Sequence, residues 1–368
     1  MSEHQEFIPQ MRPLFGIEER AELLSYLDED GFFTEFKKTE AFERQIAEFT
    51  GARHCIVVNN GTVSLTLAAI ALGIGPDDDV IVPDYTMIAT PNSVKMLGAQ
   101  PVFVDVEPDT LVMDVAQAER AITPRTKAIM LVSANGRAPR AGIAAFEALS
   151  QRTGIPLIED AAQSLGSRYA DGRHIGRAGV IGSFSFSAPK IISTGQGGAL
   201  ITDDDALADK LRRLKDFGRS GGGNDVHTSI GYNFKFTELQ ACVGLAQMRQ
   251  LPDRILRKKE IWRRYQRGLA NVPGIQLFEH DLDLCTPWFI DCRAERRDEL
   301  ASYLKNHGIG TRTMYPPIHQ QKAYSLSGTY VVAESIGRDG LWLPSMIQLE
   351  DSQIDRVCRL IACFYEEL

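Results

Sequence analysis

Lys190 sits in the stretch Gly182-Ser183-Phe184-Ser185-Phe186-Ser187-Ala188-Pro189-Lys190-Ile191-Ile192-Ser193-Thr194-Gly195-Gln196-Gly197-Gly198, with no other charged residue from Ser183 to Thr202. Most lysines are solvated on a surface. A lysine confined in an apolar place loses proton affinity and becomes a usable amine nucleophile, which is what Schiff-base chemistry needs. A purely structural lysine is the alternative. Thirty residues upstream, Ile155-Pro156-Leu157-Ile158-Glu159-Asp160 reads as a buried strand that ends at an acidic pair. In open α/β sheets, ligands sit beyond the carboxyl ends of the strands. A carboxylate there can pair with a pyridinium nitrogen and keep such a ring electron-withdrawing, or it can simply cap a following helix. Earlier still, the strand His54–Val58 leads through Asn59-Asn60-Gly61-Thr62 into an apolar helix from Val63 to Leu72. Free N–H groups and the helix dipole make that helix start a ready anion site. An ordinary strand-to-helix turn with Thr62 as N-cap is the plain alternative. The order of phosphate cup, strand-end aspartate and isolated lysine is the informative combination.

These residues must be positioned by an α/β scaffold. Strands are expected at Cys55–Val58, Asp79–Val82, Pro101–Asp105, Ala128–Ser133, Ile155–Asp160, Gly182–Ser187 and Ala199–Thr202. Helical patterns at Ala41–Phe49, Val63–Leu72, Ile143–Arg152 and Ala206–Phe217 alternate with them. Such alternation predicts a mostly parallel sheet with helices on both faces. Thr237 to Arg249 reads as a buried helix, Leu251-Pro252-Asp253 as its break, and Arg254 to Leu269 as a basic amphipathic helix with a solvated charged face. The remainder suits a small α+β domain. The expected boundaries are therefore 1–250 for the large domain and 251–368 for the small one, with the site between them. The glycine-rich loop Gly218–Asp225 would either close over a ligand or serve as a passive linker.

The anchors Asn60-Gly61-Thr62, Val80-Ile81-Val82-Pro83, Pro101-Val102-Phe103-Val104-Asp105, Ile122–Ile129, Glu159-Asp160-Ala161-Ala162-Gln163, Phe184-Ser185-Phe186 with Lys190, Gly231-Tyr232-Asn233 and Gly340-Leu341-Trp342-Leu343-Pro344-Ser345 stand in register. On them the chain resembles the DegT/DnrJ/EryC1/StrS family of sugar-nucleotide aminotransferases, from about Phe15 to the C-terminal helix. The resemblance implies fold type I: a large domain with a mostly parallel seven-stranded sheet flanked by helices, and a smaller C-terminal α+β domain. It implies pyridoxal 5'-phosphate as cofactor, pyridoxamine 5'-phosphate as its intermediate form, and L-glutamate as amino donor. The acceptor would be a nucleotide-linked keto-sugar, in layout most like the substrate of members that aminate position 4 of a 4-keto-6-deoxy sugar. Lys190 would carry the cofactor, Asp160 would pair with the ring nitrogen, and Gln163 would lie near the ring hydroxyl. Gly61, Thr62 and Ser185 would hold the phosphate. Asn233 would reach the phosphate of a neighbouring subunit, making the active unit a homodimer.

Several positions depart from the family pattern. Met87 stands where an aromatic usually covers the ring; a thioether can still pack there for about 0.3–1.5 kcal/mol. Ser133–Arg140 replaces a His-Leu-Tyr-Gly-Gln-like segment, which makes the Asn135 loop the preferred place for altered specificity. Gly179-Val180 replaces Gly-Asp, and Lys235 replaces an arginine. Arg137, Arg140, Arg219 and Arg312 are candidates for carboxylate or diphosphate, each against an ordinary surface role. His319 lies in a segment near the sugar site of similar proteins, or is a satisfied structural histidine. Two rivals stand beside the transaminase: a PLP-dependent sugar dehydratase, disfavoured by Lys190 and unclustered cysteines, and a noncatalytic regulatory relative. A Rossmann dehydrogenase is a poor third, because no Gly-x-Gly-x-x-Gly turn follows the first strand.

The 368 residues carry 44% hydrophobic and 24% charged residues, ordinary for a globular protein. A net charge of −8 argues against nonspecific nucleic-acid or membrane binding. Six cysteines form no Cys-x-x-Cys pair and suggest free thiols in a cytoplasmic setting. The seven histidines show no metal-ligand spacing. The polar Met1–Glu6 start fits no secretory signal, and no apolar run approaches the about 20 residues of a membrane span.

Overall fold

The computed structural model describes residues 6–29, 31–221 and 225–366. Met1–Gln5 and the centre of the glycine-rich loop, Gly222, Gly223 and Asn224, lie outside the described residues. Seven strands build the large sheet: β1 (His54–Val58), β2 (Asp79–Pro83), β3 (Gln100–Val104), β4 (Thr126–Val132), β5 (Leu157–Asp160), β6 (Ile181–Ser185) and β7 (Gly198–Thr202). Their order is β1-β7-β6-β5-β4-β2-β3, and only β7 runs antiparallel to its neighbours. The helices before and between them are α1 (Ile17–Asp28), α2 (Lys37–Thr50), α3 (Gly61–Ala71), α4 (Ala89–Lys95), α5 (Val115–Arg120) and α6 (Ile143–Thr153), followed by α7 (Asp205–Lys215) and α8 (Glu238–Leu269). A second sheet of β8 (Ile275–Leu277), β9 (Ile290–Ala294), β10 (Arg312–Thr313) and β11 (Gly340–Leu343) is antiparallel, in the order β10-β11-β9-β8. It packs with α9 (Arg297–Asn306), α10 (Val331–Asp339) and α11 (Asp351–Glu366).

The central strands are apolar on both faces because both are covered. Val57, Ile81, Ile129, Leu131, Leu157 and Phe184 point into one core, while Ile56, Val80, Val82, Met130 and Ile158 point into the other. A third core, around Trp262, Tyr265, Leu300, Leu341 and Ile361, belongs to the small sheet and its helices. All seven expected strands of the large sheet form, with ends shifted by one or two residues. No described helix is long and apolar enough to cross a membrane.

Two expectations about α8 are overturned. Pro252 does not break it; the helix runs through 32 residues with the proline inside. A proline removes one backbone bond, but tertiary packing on both sides holds the axis, with Leu251 and Arg254 buried. The expected boundary at residues 250/251 thus falls inside this helix. Nor is the basic half a uniformly solvated face: Arg254 and Lys258 are buried, at 4% and 1% exposure.

The large sheet and the small one meet at a polar seam. Arg137 forms two bonds to Asp291 on β9, at 2.9 and 2.7 Å, with both side chains buried. Its Nη2 also donates to Nε2 of His280 at 2.7 Å, since a guanidinium can only donate. Burial, then the Arg137 charge, pushes His280 down to about 4, so the ring is neutral at pH 7. Burial alone would raise the Asp291 carboxyl, but the Arg137 guanidinium holds it well below the usual carboxylate range. Removing one partner of such a pair strands the other charge. Arg137→Met is therefore expected to lower unfolding free energy by about 3–5 kcal/mol, measured by urea titration; a loss below about 1 kcal/mol would show that the seam tolerates an unpaired Asp291.

Candidate active site

Parallel pairing brings the carboxyl ends of β2, β4, β5 and β6 to one edge of the large sheet. Register places Val132 beside Asp160 and Asp160 beside Ser183. Asp160 is the last residue of β5 and is 6% exposed. Its Oδ2 accepts from the Thr90 hydroxyl at 2.7 Å and its Oδ1 from the Ala162 amide at 3.2 Å. No helix follows it directly, so it caps none. Burial raises its pKa, opposed by those two hydrogen bonds and by the charge of Lys190. Thr90, on the short helix α4, is fully buried and also bonds Thr86 at 2.9 Å.

Lys190 stands in the loop between β6 and β7. The loop is closed by Phe186 N to Gly197 O at 2.8 Å and Thr194 N to Phe186 O at 3.0 Å. The Lys190 residue keeps some exposed surface, yet its amine is surrounded by protein and lies 4.2 Å from the ring centre of Trp288. No carboxylate lies within 4.0 Å of that amine among the described residues. Burial pushes its pKa down to about 8; Asp160 pulls it upward and Arg312 pushes it further down.

At the other end of the site, α3 begins at Gly61. Asn60 is its N-cap, accepting from the Val63 amide at 2.9 Å, so Thr62 is a helix residue and not the cap. The Ser64 amide bonds Asn60 O, which leaves the Gly61 and Thr62 amides without helical partners. A Cβ at Gly61 would lie 2.8 Å from Cβ and 2.9 Å from Oγ of Ser185, and one at Gly198 would lie 2.5 Å from Asn60 O. The two glycines thus let the helix start close onto the ends of β6 and β7. Two open amides beside a serine hydroxyl make an anion cradle.

The remaining candidates divide. Gln163 lines the same small cavity as Lys190, Ser185 and Trp288; its Oε1 accepts from the Asn135 amide at 2.7 Å. Asn135 itself is buried at φ 54°, and its side chain clasps both backbone groups of Phe289, at 2.9 and 2.8 Å. It ties the Ser133–Arg140 segment to the small sheet and presents no free group. Arg137 is committed to Asp291, and Arg140 pairs with Asp109 on the surface. His319 is buried against Asp84, Nδ1 to Oδ2 at 2.7 Å, with its own amide on Oδ1. Met87 is 45% exposed in the turn before α4. Arg312 is exposed on β10 and stacks over Trp342 and Tyr315, at 5.4 and 5.9 Å to the ring centres. Arg219 and Asn233 lie elsewhere on the described surface. Arg219 pairs with Asp216 and Asp225, and Asn233 bridges Asp216. Lys235 pairs with Asp216 at 2.8 Å. Sequence reasoning missed Thr90 and Trp288; the apolar run around Pro287-Trp288-Phe289 is a signal only once Trp288 is known to lie over Lys190.

The chain belongs to the DegT/DnrJ/EryC1/StrS aminotransferase family, whose model matches residues 16–362. It is a transaminase with the fold type I architecture of pyridoxal-phosphate-dependent aminotransferases. It is 35% identical over 366 residues to a GDP-perosamine synthase from Escherichia coli O157:H7, covering 98% of this chain and 99% of that one. DesV from S. venezuelae, solved in complex with a ketimine intermediate, is 35% identical with a TM-score of 0.89, covering 97% of this chain and 100% of that one. A Streptococcus pneumoniae protein solved in its PLP-form is 26% identical with a TM-score of 0.91, covering 98% of this chain and 99% of that one.

An amine that titrates near 8 gives a direct test. In cofactor-free protein, acylation of Lys190 is expected to rise with pH and level off above about 8, whereas surface lysines keep rising toward 10.5. Mass-spectrometric labelling at graded pH reads this; a Lys190 curve that overlays the surface lysines would contradict the desolvated site.

Proposed function

We propose that this transaminase moves the amino group of L-glutamate to a nucleotide-linked 4-keto-6-deoxy sugar, with pyridoxal 5'-phosphate as its cofactor. The observation that carries the reading is the meeting of a desolvated Lys190 amine, the buried Asp160 carboxylate and the open Gly61–Thr62 amides at one sheet edge. The similarity to a GDP-perosamine synthase supports the sugar acceptor.

The residues present fit the cofactor. The Gly61 and Thr62 amides with the Ser185 hydroxyl would hold its phosphate, Asp160 would pair with its ring nitrogen, and Lys190 would be the amine that reaches its carbonyl carbon. Gln163 has its side-chain oxygen engaged by Asn135, which leaves its NH2 to donate to the ring hydroxyl. When bound, the cofactor supplies the electron sink that makes the donor's α-proton removable. Lys190 takes that proton and returns it, acting as general base and then acid; an amine near 8 is suited to both tasks at neutral pH. Asp160, with one oxygen fixed by Thr90, would offer its carboxylate to the ring nitrogen and favour that nitrogen's protonation. Arg312, with no acidic partner within 4.0 Å among the described residues, is free to receive a carboxylate or diphosphate. Trp288 and Phe289 keep water from the amine's far side.

The active unit in this reading is a homodimer, with Asn233 serving the partner's phosphate site. Phe33, Ile230 and Tyr232 expose large apolar surfaces at 59%, 81% and 41%. Tyr232 flanks Asn233, and the Phe33 carbonyl joins the start of α8. Exposed apolar side chains of this size suit a partner surface.

The test is the visible spectrum of the full-length protein with added pyridoxal phosphate, before and after excess L-glutamate. A yellow band that bleaches as 2-oxoglutarate appears is the expected result, and Lys190→Ala should reduce turnover by at least about 100-fold. A band that glutamate leaves untouched would point to another donor, a lyase or a binding role. No band in folded protein would end the cofactor assignment.

A further inference from the structure

Given the cofactor reading above, we propose that Trp288 is the positioning residue that fixes and shields the Lys190 amine, and that Lys258 on α8 seats it. The indole ring centre lies 4.2 Å from Lys190 Nζ. Its Nε1 donates to the carbonyl of Pro189, the residue before the lysine, at 2.7 Å. The ring therefore grips the lysine loop by its backbone while covering the side chain. On its other side Trp288 stacks on Phe289 at 3.8 Å and meets Trp342 edge-on at 5.8 Å. Phe289 is held in turn by the Asn135 clasp. The indole has little freedom left.

Lys258 completes the seat. Its buried ammonium donates to Trp288 O at 2.6 Å and Ser345 O at 2.5 Å, with no carboxylate within 4.0 Å among the described residues. Burial pushes its pKa down to about 7. A buried ammonium whose acceptors are only carbonyls is costly compared with an apolar side chain of similar volume. What it provides is the fixed spacing of two backbone segments. The same face of α8 holds the lysine loop as well, seven and four residues apart in register. Arg254 donates to Ile191 O at 3.1 Å, and Gln247 accepts from the Ser193 amide at 3.1 Å. One helix thus sets the loop that carries Lys190 and the strand entry that covers it.

The test reads the apparent pKa of Lys190 in cofactor-free, full-length protein by pH-dependent acylation with acetic anhydride and mass spectrometry. Trp288→Leu admits water, so the value should rise from about 8 toward 10.5. A rise of about one unit leaves roughly tenfold less free amine at pH 7. Trp288→Phe keeps an aromatic face without the Nε1 bond and should rise less. Lys258→Met should shift Lys190 in the same direction, while Lys258→Arg, still able to donate to both carbonyls, should restore the original value. A folded Trp288→Leu protein with unchanged Lys190 pKa overturns the shield. Where that variant does not fold, the Phe variant decides by the same criterion, and failure of both to fold overturns it too, since Trp288 would then be a general core residue. Lys258→Met and Lys258→Arg that both match the original chain remove Lys258 from the proposal. No cofactor or glutamate enters this measurement, so its failure is separable from failure of the transamination reading.

Discussion

Desolvation of one amine is the constraint around which this molecule is arranged. The large sheet supplies the lysine loop and the Asp160 carboxylate, but the apolar wall beside the amine comes from Trp288, at the entry to the small sheet. Neither part makes the site alone. The position of the small sheet against the carboxyl edge of the large one therefore decides the proton affinity of Lys190.

Acids at the carboxyl edge show the division of labour. Asp84, after β2, accepts from the backbone and ring of His319; Asp105, after β3, accepts from the amides of Val332 and Ala333 at the start of α10. Both carboxylates hold the small sheet's connecting segments. Asp160, the last residue of β5, holds nothing from the small sheet and stands near Lys190. Arg137 and Asp291 add a buried ion pair to the same seam. Such a pair contributes little net stability compared with apolar packing, but its bidentate geometry admits one register. The seam's charges act on placement more than on stability.

The scaffold was largely legible in the chain, because strands buried on both faces write themselves as unbroken apolar runs. The isolation of Lys190 and the strand-end place of Asp160 were legible for the same reason: a charged residue in an apolar run is conspicuous. What the sequence hid was contact across the seam. Trp288 looks like any core aromatic, and Thr90 sits on a seven-residue helix with no clear periodicity. Arg254 and Lys258 read as a solvated charge run because sequence spacing cannot show which backbone carbonyls lie opposite. Pro252 read as a break because local propensity is weak against a helix packed along its length. Asn135 drew attention as an unusual loop residue, and its left-handed backbone and two-sided clasp show how that loop is held against the small sheet.

The balance at Lys190 also explains why charges alone would not make it reactive. Asp160 raises its proton affinity and Arg312 lowers it, so the two oppose each other across the site. Burial is the largest contribution and sets the direction. Arg312 lies over Trp342, Trp342 meets Trp288, and Trp288 covers Lys190, so the aromatic wall stands between two cations. A wall of low polarity strengthens every field that crosses it. An anion placed on Arg312 would cancel the charge that depresses Lys190 while leaving the wall intact. Lys190 would then become more basic, and a larger share of it would be protonated at neutral pH. Packing sets the low proton affinity of the amine, and the two neighbouring charges pull it in opposite directions from there.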